Sequence, residues 1–119
     1  MSSYKNLLQS LQLIANLKKD WDSYGADPPS DTAIKTAGKA LSILNEQGCI
    51  PTEINPSAEE GLVFEYTVNE HYFMLHFYND GDIVYLKALN GKKSEAVELN
   101  GLDDIIRIAA EIKSYKIKD

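Results

Sequence analysis

The chain has one cysteine, Cys49, among its 119 residues. That excludes an internal disulfide and a cysteine-based metal cluster, and a buried thiol is the expected fate of the side chain. No apolar run approaches the roughly 20 residues that cross a bilayer. Residues 1–5, Met-Ser-Ser-Tyr-Lys, also lack the basic region and apolar stretch of a signal peptide, so a cytoplasmic location away from membranes is expected. Cations are scarce too: 12 Lys and Arg against 18 Asp and Glu leave a net charge of −6. Binding to a phosphate backbone is driven by counterion release to clustered Lys and Arg, so nucleic acid is not an expected partner.

Histidine is nearly absent, with only His71 and His76, and no Ser or Cys nucleophile signature stands near either. Five residues apart on a strand, the two point to opposite faces and cannot chelate one metal together. No pair of carboxylates is fixed by its spacing as general acid and base. The expectation is a protein that is not an enzyme, with no catalytic residues, no cofactor and no metal.

What is present suffices for one domain over residues 1–119, since 44% of residues are apolar and 25% charged, with 7 Tyr, 3 Phe and 1 Trp. From Tyr4 to Lys18, Tyr4, Leu7, Leu8, Leu11, Ile14, Ala15 and Leu17 follow the stripe of an amphipathic helix. Ser30 suits the cap of a second helix, with Asp31 in its first turn and Ala33, Ile34, Ala37, Leu41 and Leu44 as its buried stripe. Gly48 and Pro51 end it near Gln47. Residues 51–60 read as a polar, proline-broken connection with Ile54 as an apolar peg.

Between the helices, Trp21, Asp22, Tyr24 and Gly25 lie in a turn closed by Pro28 and Pro29. From Asp20 to Asp31 its acids stand at the first, third and twelfth places with Gly25 at the sixth, as in an EF-hand loop. Tyr24 at a ligand position, the prolines and the twelfth-place Asp argue against calcium. The turn is expected to be structural, with Trp21 and Tyr24 plugging the seam between helices and sheet while Asp22 accepts backbone N–H bonds.

Residues 62–99 switch to β-branched and aromatic strands punctuated by Asn69-Glu70, Asp80-Gly81 and Asn90-Gly91, which predicts a four-stranded antiparallel meander. Two-residue loops at the first two turns pair Tyr66 with Phe73, Phe64 with Leu75 and Leu62 with Phe77, then Phe77 with Val84, Leu75 with Leu86 and Phe73 with Ala88. A four-residue loop from Asn90 to Lys93 sets Val97 opposite Leu86 and Leu99 opposite Val84. The last segment predicts a helix with Asn100 as cap, a stripe of Leu102, Ile105, Ile106, Ala109 and Ile112, and Lys113, Lys116 and Lys118 toward its end. The fold class is α+β: two N-terminal helices, the meander and a C-terminal helix.

In this register the second sheet face carries Tyr72, Met74, His76, Tyr78 and Tyr85, with His76 between Val63 and Tyr85. If open, it forms a larger apolar patch than monomers usually show; helix one or a second copy of the chain covers it otherwise.

Trp21-Asp22-Ser23-Tyr24-Gly25-Ala26, then Pro28-Pro29-Ser30 and a helix with Ile34, Ala37 and Leu41, resembles the Trp-Asp-Gly-Tyr-Gly-Ala-x-Pro-Ile-Ser stretch of small uncharacterised bacterial and prophage proteins. Gly61 to Tyr66 and the Asp80-Gly81 hairpin extend the likeness over residues 7 to 86. Ser23 and Pro29 depart from the pattern. The resemblance implies a bacterial or mobile-element origin and no assigned activity. The expected role is a protein-interaction module of accessory, immunity or antitoxin type, whose partner is another protein or a second copy of the chain. The alternative is a small-molecule or peptide binder using a cleft between the Trp21 turn and the sheet.

Overall fold

Ser3 opens the first helix by accepting the Asn6 N–H at 3.2 Å, the ordinary role of a hydroxyl at an N-cap. The computed structural model describes residues 3–117, and this helix, α1, runs Tyr4–Ala15 with Leu7, Leu11 and Ile14 buried. It stops short of Lys18 because the N–H groups of Asn16 and Leu17 bond the carbonyls of Leu13 and Ile14, which tightens the last turn. Helix α2 (Asp31–Glu46) begins and ends as the sequence predicts. Ser30 Oγ accepts the Ala33 N–H, and Gly48, at φ +67, lets Cys49 N–H return to the Leu44 carbonyl. Cys49 is buried.

The stretch after Pro51 is more than a connection. Glu53–Pro56 forms an edge strand, β1, whose Ile54 pairs with Phe64 of β2 (Leu62–Val68). An edge position tolerates Pro56, which has no N–H to give. Strands β3 (His71–Phe77) and β4 (Ile83–Leu89) follow, then the two-residue β5 (Lys92–Lys93) and β6 (Val97–Glu98), both on β4. Among the described residues the antiparallel sheet therefore has six strands, not four, in the order β1-β2-β3-β4-β5 with β6 also on β4.

The first hairpin has the predicted register, Tyr66 with Phe73, Phe64 with Leu75 and Leu62 with Phe77, and Asn69 takes the positive φ in its two-residue loop. The second is shifted by one residue: Phe77 pairs with Ile83, Leu75 with Tyr85 and Phe73 with Lys87. Here Tyr78 N–H bonds Asp82 O, Gly81 N–H bonds Tyr78 O, and Gly81 sits at φ +100. The loop is thus a turn plus a bulged glycine over Asn79, Asp80 and Gly81, and the extra residue turns every β4 side chain to the opposite face. At the third turn Asn90 and Gly91 both have positive φ, so the loop has two residues, and Ala88 pairs with Lys93. The register slips again before β6, placing Val97 opposite Tyr85, while Leu99 N–H bonds Ile83 O.

Helix α3 (Asp103–Ile117) carries Lys116 in its last turn; Lys118 lies outside the described residues. Asn100 does not cap it with its side chain; its N–H donates to Asp104 Oδ2. Ile108 replaces Ile106 in the buried stripe, where Ile105, Ala109 and Ile112 are as expected, and Ile106 is 49% exposed. One core results: the inner faces of α1, α2 and α3 pack on Ile54, Leu62, Phe64, Tyr66, Phe73, Leu75, Phe77, Ile83 and Tyr85.

Candidate binding face

Pairing rows define the other face. Val63, His76 and Val84 lie in one row, Glu65, Met74 and Leu86 in the next, and Thr67, Tyr72 and Ala88 in the third. None of these belongs to the core cluster that the helices join. Tyr72, Met74, His76 and Tyr78 thus share the face predicted for them. Tyr85 does not: the bulged hairpin loop turns it inward, where its hydroxyl donates to Glu111 Oε1 at 2.9 Å. Lys87, two residues further along β4, turns inward with it and holds Glu111 Oε2 at 2.6 Å.

On the outer face, Glu65 accepts from Tyr72 Oη and from Asn55 Nδ2, each at 2.9 Å. Burial and the hydrogen bond to Glu65 push the Tyr72 phenol well above its ordinary value. His76 is only 6% exposed. Its ring stacks on Tyr78 at 4.0 Å, and its Nε2 lies 2.6 Å from the Glu60 carbonyl, a spacing that places the proton on Nε2. Residues 57–61 are folded over this corner. At Gly61, φ +72, an added Cβ would stand 1.8 Å from Phe77 O. Glu60 Oε1 also accepts the Asn79 N–H.

Asn79 extends this network to the Trp21 turn, because Ser30 N–H donates to Asn79 Oδ1 and Ser30 Oγ–H to Asn79 O, both at 2.8 Å. Within the turn, Asp22 Oδ1 accepts the N–H groups of Tyr24 and Ala26, and Asp20 Oδ1 that of Gly25. The Tyr24 N–H, assisted by that of Ala26, outweighs desolvation and holds the Asp22 carboxyl below its ordinary value. The indole N–H of Trp21 bonds Asp27 O. Tyr24, expected as a plug, is instead 91% exposed. Gly25 at φ +85 and positive φ at Asp20 and Ser23 shape this turn.

The two histidines do face opposite ways. His71 lies on the helix side, its ring 5.0 Å from that of Tyr115 and its Nδ1 accepting the Asn90 N–H. His76, Glu65 and Tyr85 do not converge, since Tyr85 is on the inner face. A hollow of ≈ 400 Å³ lies along α1, lined by Gln9, Gln12, Leu13 and Asn16, and not between the turn and the sheet. Among the described residues no cluster of three or more His, Cys, Asp or Glu could hold a metal, and no helix is long and apolar enough to cross a membrane.

Neither a protein-family model nor a curated protein nor a solved structure matches the chain.

Proposed function

We propose that this protein is a non-enzymatic interaction module of accessory, immunity or antitoxin type, of bacterial or mobile-element origin, that engages another protein through the open sheet face. One observation carries the reading: all three helices join a single core on one side of the sheet, while Tyr72, Met74, Tyr78, Val84, Leu86 and Ala88 remain partly accessible on the other. A face of this composition is larger than isolated apolar surface residues, and Tyr and Met are favoured at interfaces. The Glu65–Tyr72–Asn55 and Glu60–His76 bonds hold it rigid, which limits the entropy lost on docking.

The test is cross-linking in a bacterial host with a photoreactive analogue at Met74. Trapping of one defined protein is expected, reduced at least tenfold by Leu86→Glu. A chain that traps nothing at this position while folded and monomeric overturns the reading.

A further inference from the structure

Charge is distributed very unevenly along the chain. Residues 40–86, which include β1, β2, β3 and half of β4, hold eight Asp and Glu and no Lys or Arg, while the other 72 residues hold ten acids and twelve bases. The net charge of −6 is therefore −8 on residues 40–86, Glu46 of α2 included, and +2 elsewhere. Pairing places Glu53 and Glu65 on one flank of the open face and Glu98 on the other. Lys93, beside Ala88 at one corner, is the cation that pairing adds to this face among the described residues. Between the flanks, the stripe over β3 and β4 presents Met74, Leu86, Val84 and Ala88. Three carboxylates against Lys93 leave this face net anionic, chiefly on its β1/β2 side, which favours a cationic visitor, whereas two copies meeting face to face would oppose like charges.

Resting on the interaction reading above, we propose that the occupant is an amphipathic helix of a partner protein, apolar on one side and Lys- and Arg-rich along its borders, lying parallel to β3 and β4. A sheet face offers side chains, not free backbone groups, so a helix completes a third layer where an added strand could not pair. Edge addition is also hindered, since β1 is short and bounded by Pro51 and Pro56 and the β5/β6 edge is interrupted at residues 94–96. Dimensions agree. Seven-residue strands span about 23 Å, the length of a helix of about 15 residues. Flanking strands three spacings apart lie about 14 Å from each other, which straddles a helix with its side chains.

The probe is a set of 15-residue peptides titrated into the intact protein: a Leu/Lys sequence with Leu at helical spacing, a scramble of the same composition, and the Leu/Glu counterpart. Met74 is one of two methionines, so its labelled Cε methyl reports on the middle of the stripe by NMR. The patterned Leu/Lys peptide is expected to shift that methyl and to bind at least tenfold tighter than the scramble. The Leu/Glu peptide should not bind, and Leu86→Lys should weaken the Leu/Lys peptide tenfold or more. Equal binding by the scramble, binding by the Leu/Glu peptide, or an unmoved Met74 methyl overturns the proposal. Failure here together with a cross-linked partner at Met74 leaves the interaction reading standing and discards the basic helix; failure of both experiments discards both.

Discussion

Ser30 and Asn79, 49 residues apart in sequence, are joined by two hydrogen bonds of 2.8 Å, Ser30 N–H to Asn79 Oδ1 and Ser30 Oγ–H to Asn79 O. The same Ser30 oxygen caps α2 through the Ala33 N–H, so the cap of one helix is also the anchor of a β-hairpin loop. Ser30→Ala should cost about 2 kcal/mol, from the lost cap and the lost Oγ–H bond to Asn79 O, while its backbone N–H still reaches Asn79 Oδ1. Asn79→Ala should cost about 1 kcal/mol. The two variants break different bonds of the clasp, so urea unfolding should show a loss in each; no measurable loss in either would show that the clasp does not form.

Gly61 and Gly25 both occupy the left-handed region, at φ +72 and +85, yet their surroundings differ. Gly25→Ala meets nothing within 4 Å and should lose only the backbone preference, about 1 kcal/mol. Gly61→Ala would drive its Cβ to 1.8 Å from Phe77 O and should cost more than about 3 kcal/mol, with a fall in soluble yield. Thermal denaturation of the two variants side by side is the check.

Leu75 and Met74 are neighbours on β3 that face opposite sides. Leu75 is fully buried, and Leu75→Ala should cost about 2–5 kcal/mol. Met74→Ala should stay within about 1 kcal/mol, because Met74 lies on the open face outside the core cluster. Comparable losses at both positions would mean that something covers the outer face.

The Glu111 carboxyl is pushed up by burial, but the bonds from Lys87 and Tyr85 outweigh this and leave its pKa below the ordinary 4.5. A depressed folded pKa contributes stability that is present above the unfolded value and lost as pH falls through the folded one. The stability gap between the protein and Glu111→Gln should therefore be full at pH 6 and shrink as the pH is lowered below about 4.5. At the alkaline end the phenols of Tyr66, Tyr72 and Tyr85 are all raised, chiefly by burial. They keep their protons when the unfolded chain loses its own, so stability should fall as pH rises past about 10. Urea midpoints across pH 3–11 measure both limbs.

Burial raises the Cys49 thiol above its ordinary value and removes it from solvent. A thiol reagent should modify Cys49 at the rate of protein opening, rising steeply with urea; prompt labelling of the folded chain would contradict the core as described.

Local chemistry made much of the architecture legible. Ser30 and Gly48 bound α2 because a hydroxyl cap and a left-handed glycine act within a few residues. Asn69-Glu70 set the β2–β3 register because a two-residue loop leaves one pairing. The Asp22 bonds to the turn are likewise short-range. Edge strand β1 reads in the sequence as a connection, since a four-residue strand ending in Pro56 carries little periodicity and pairs where Ile54 joins the core beside Phe64.

Asp80-Gly81, by contrast, is compatible with a two-residue turn and with a three-residue bulged loop, and those alternatives place opposite sides of β4 on the core. The bulged loop coincides with contacts distant in sequence: Asn79 meets Ser30 and Glu60, while Tyr85 and Lys87 meet Glu111 on a helix that follows later in the chain. By itself the sequence determined the three helices, strands β2 to β4 and the first hairpin, all governed by interactions within a few residues. Only the tertiary structure decided that Tyr85 and Lys87 turn inward, that Tyr24 points to solvent, and that Met74 and Leu86 lie together on the outer face, because register and burial depend on which distant groups satisfy one another.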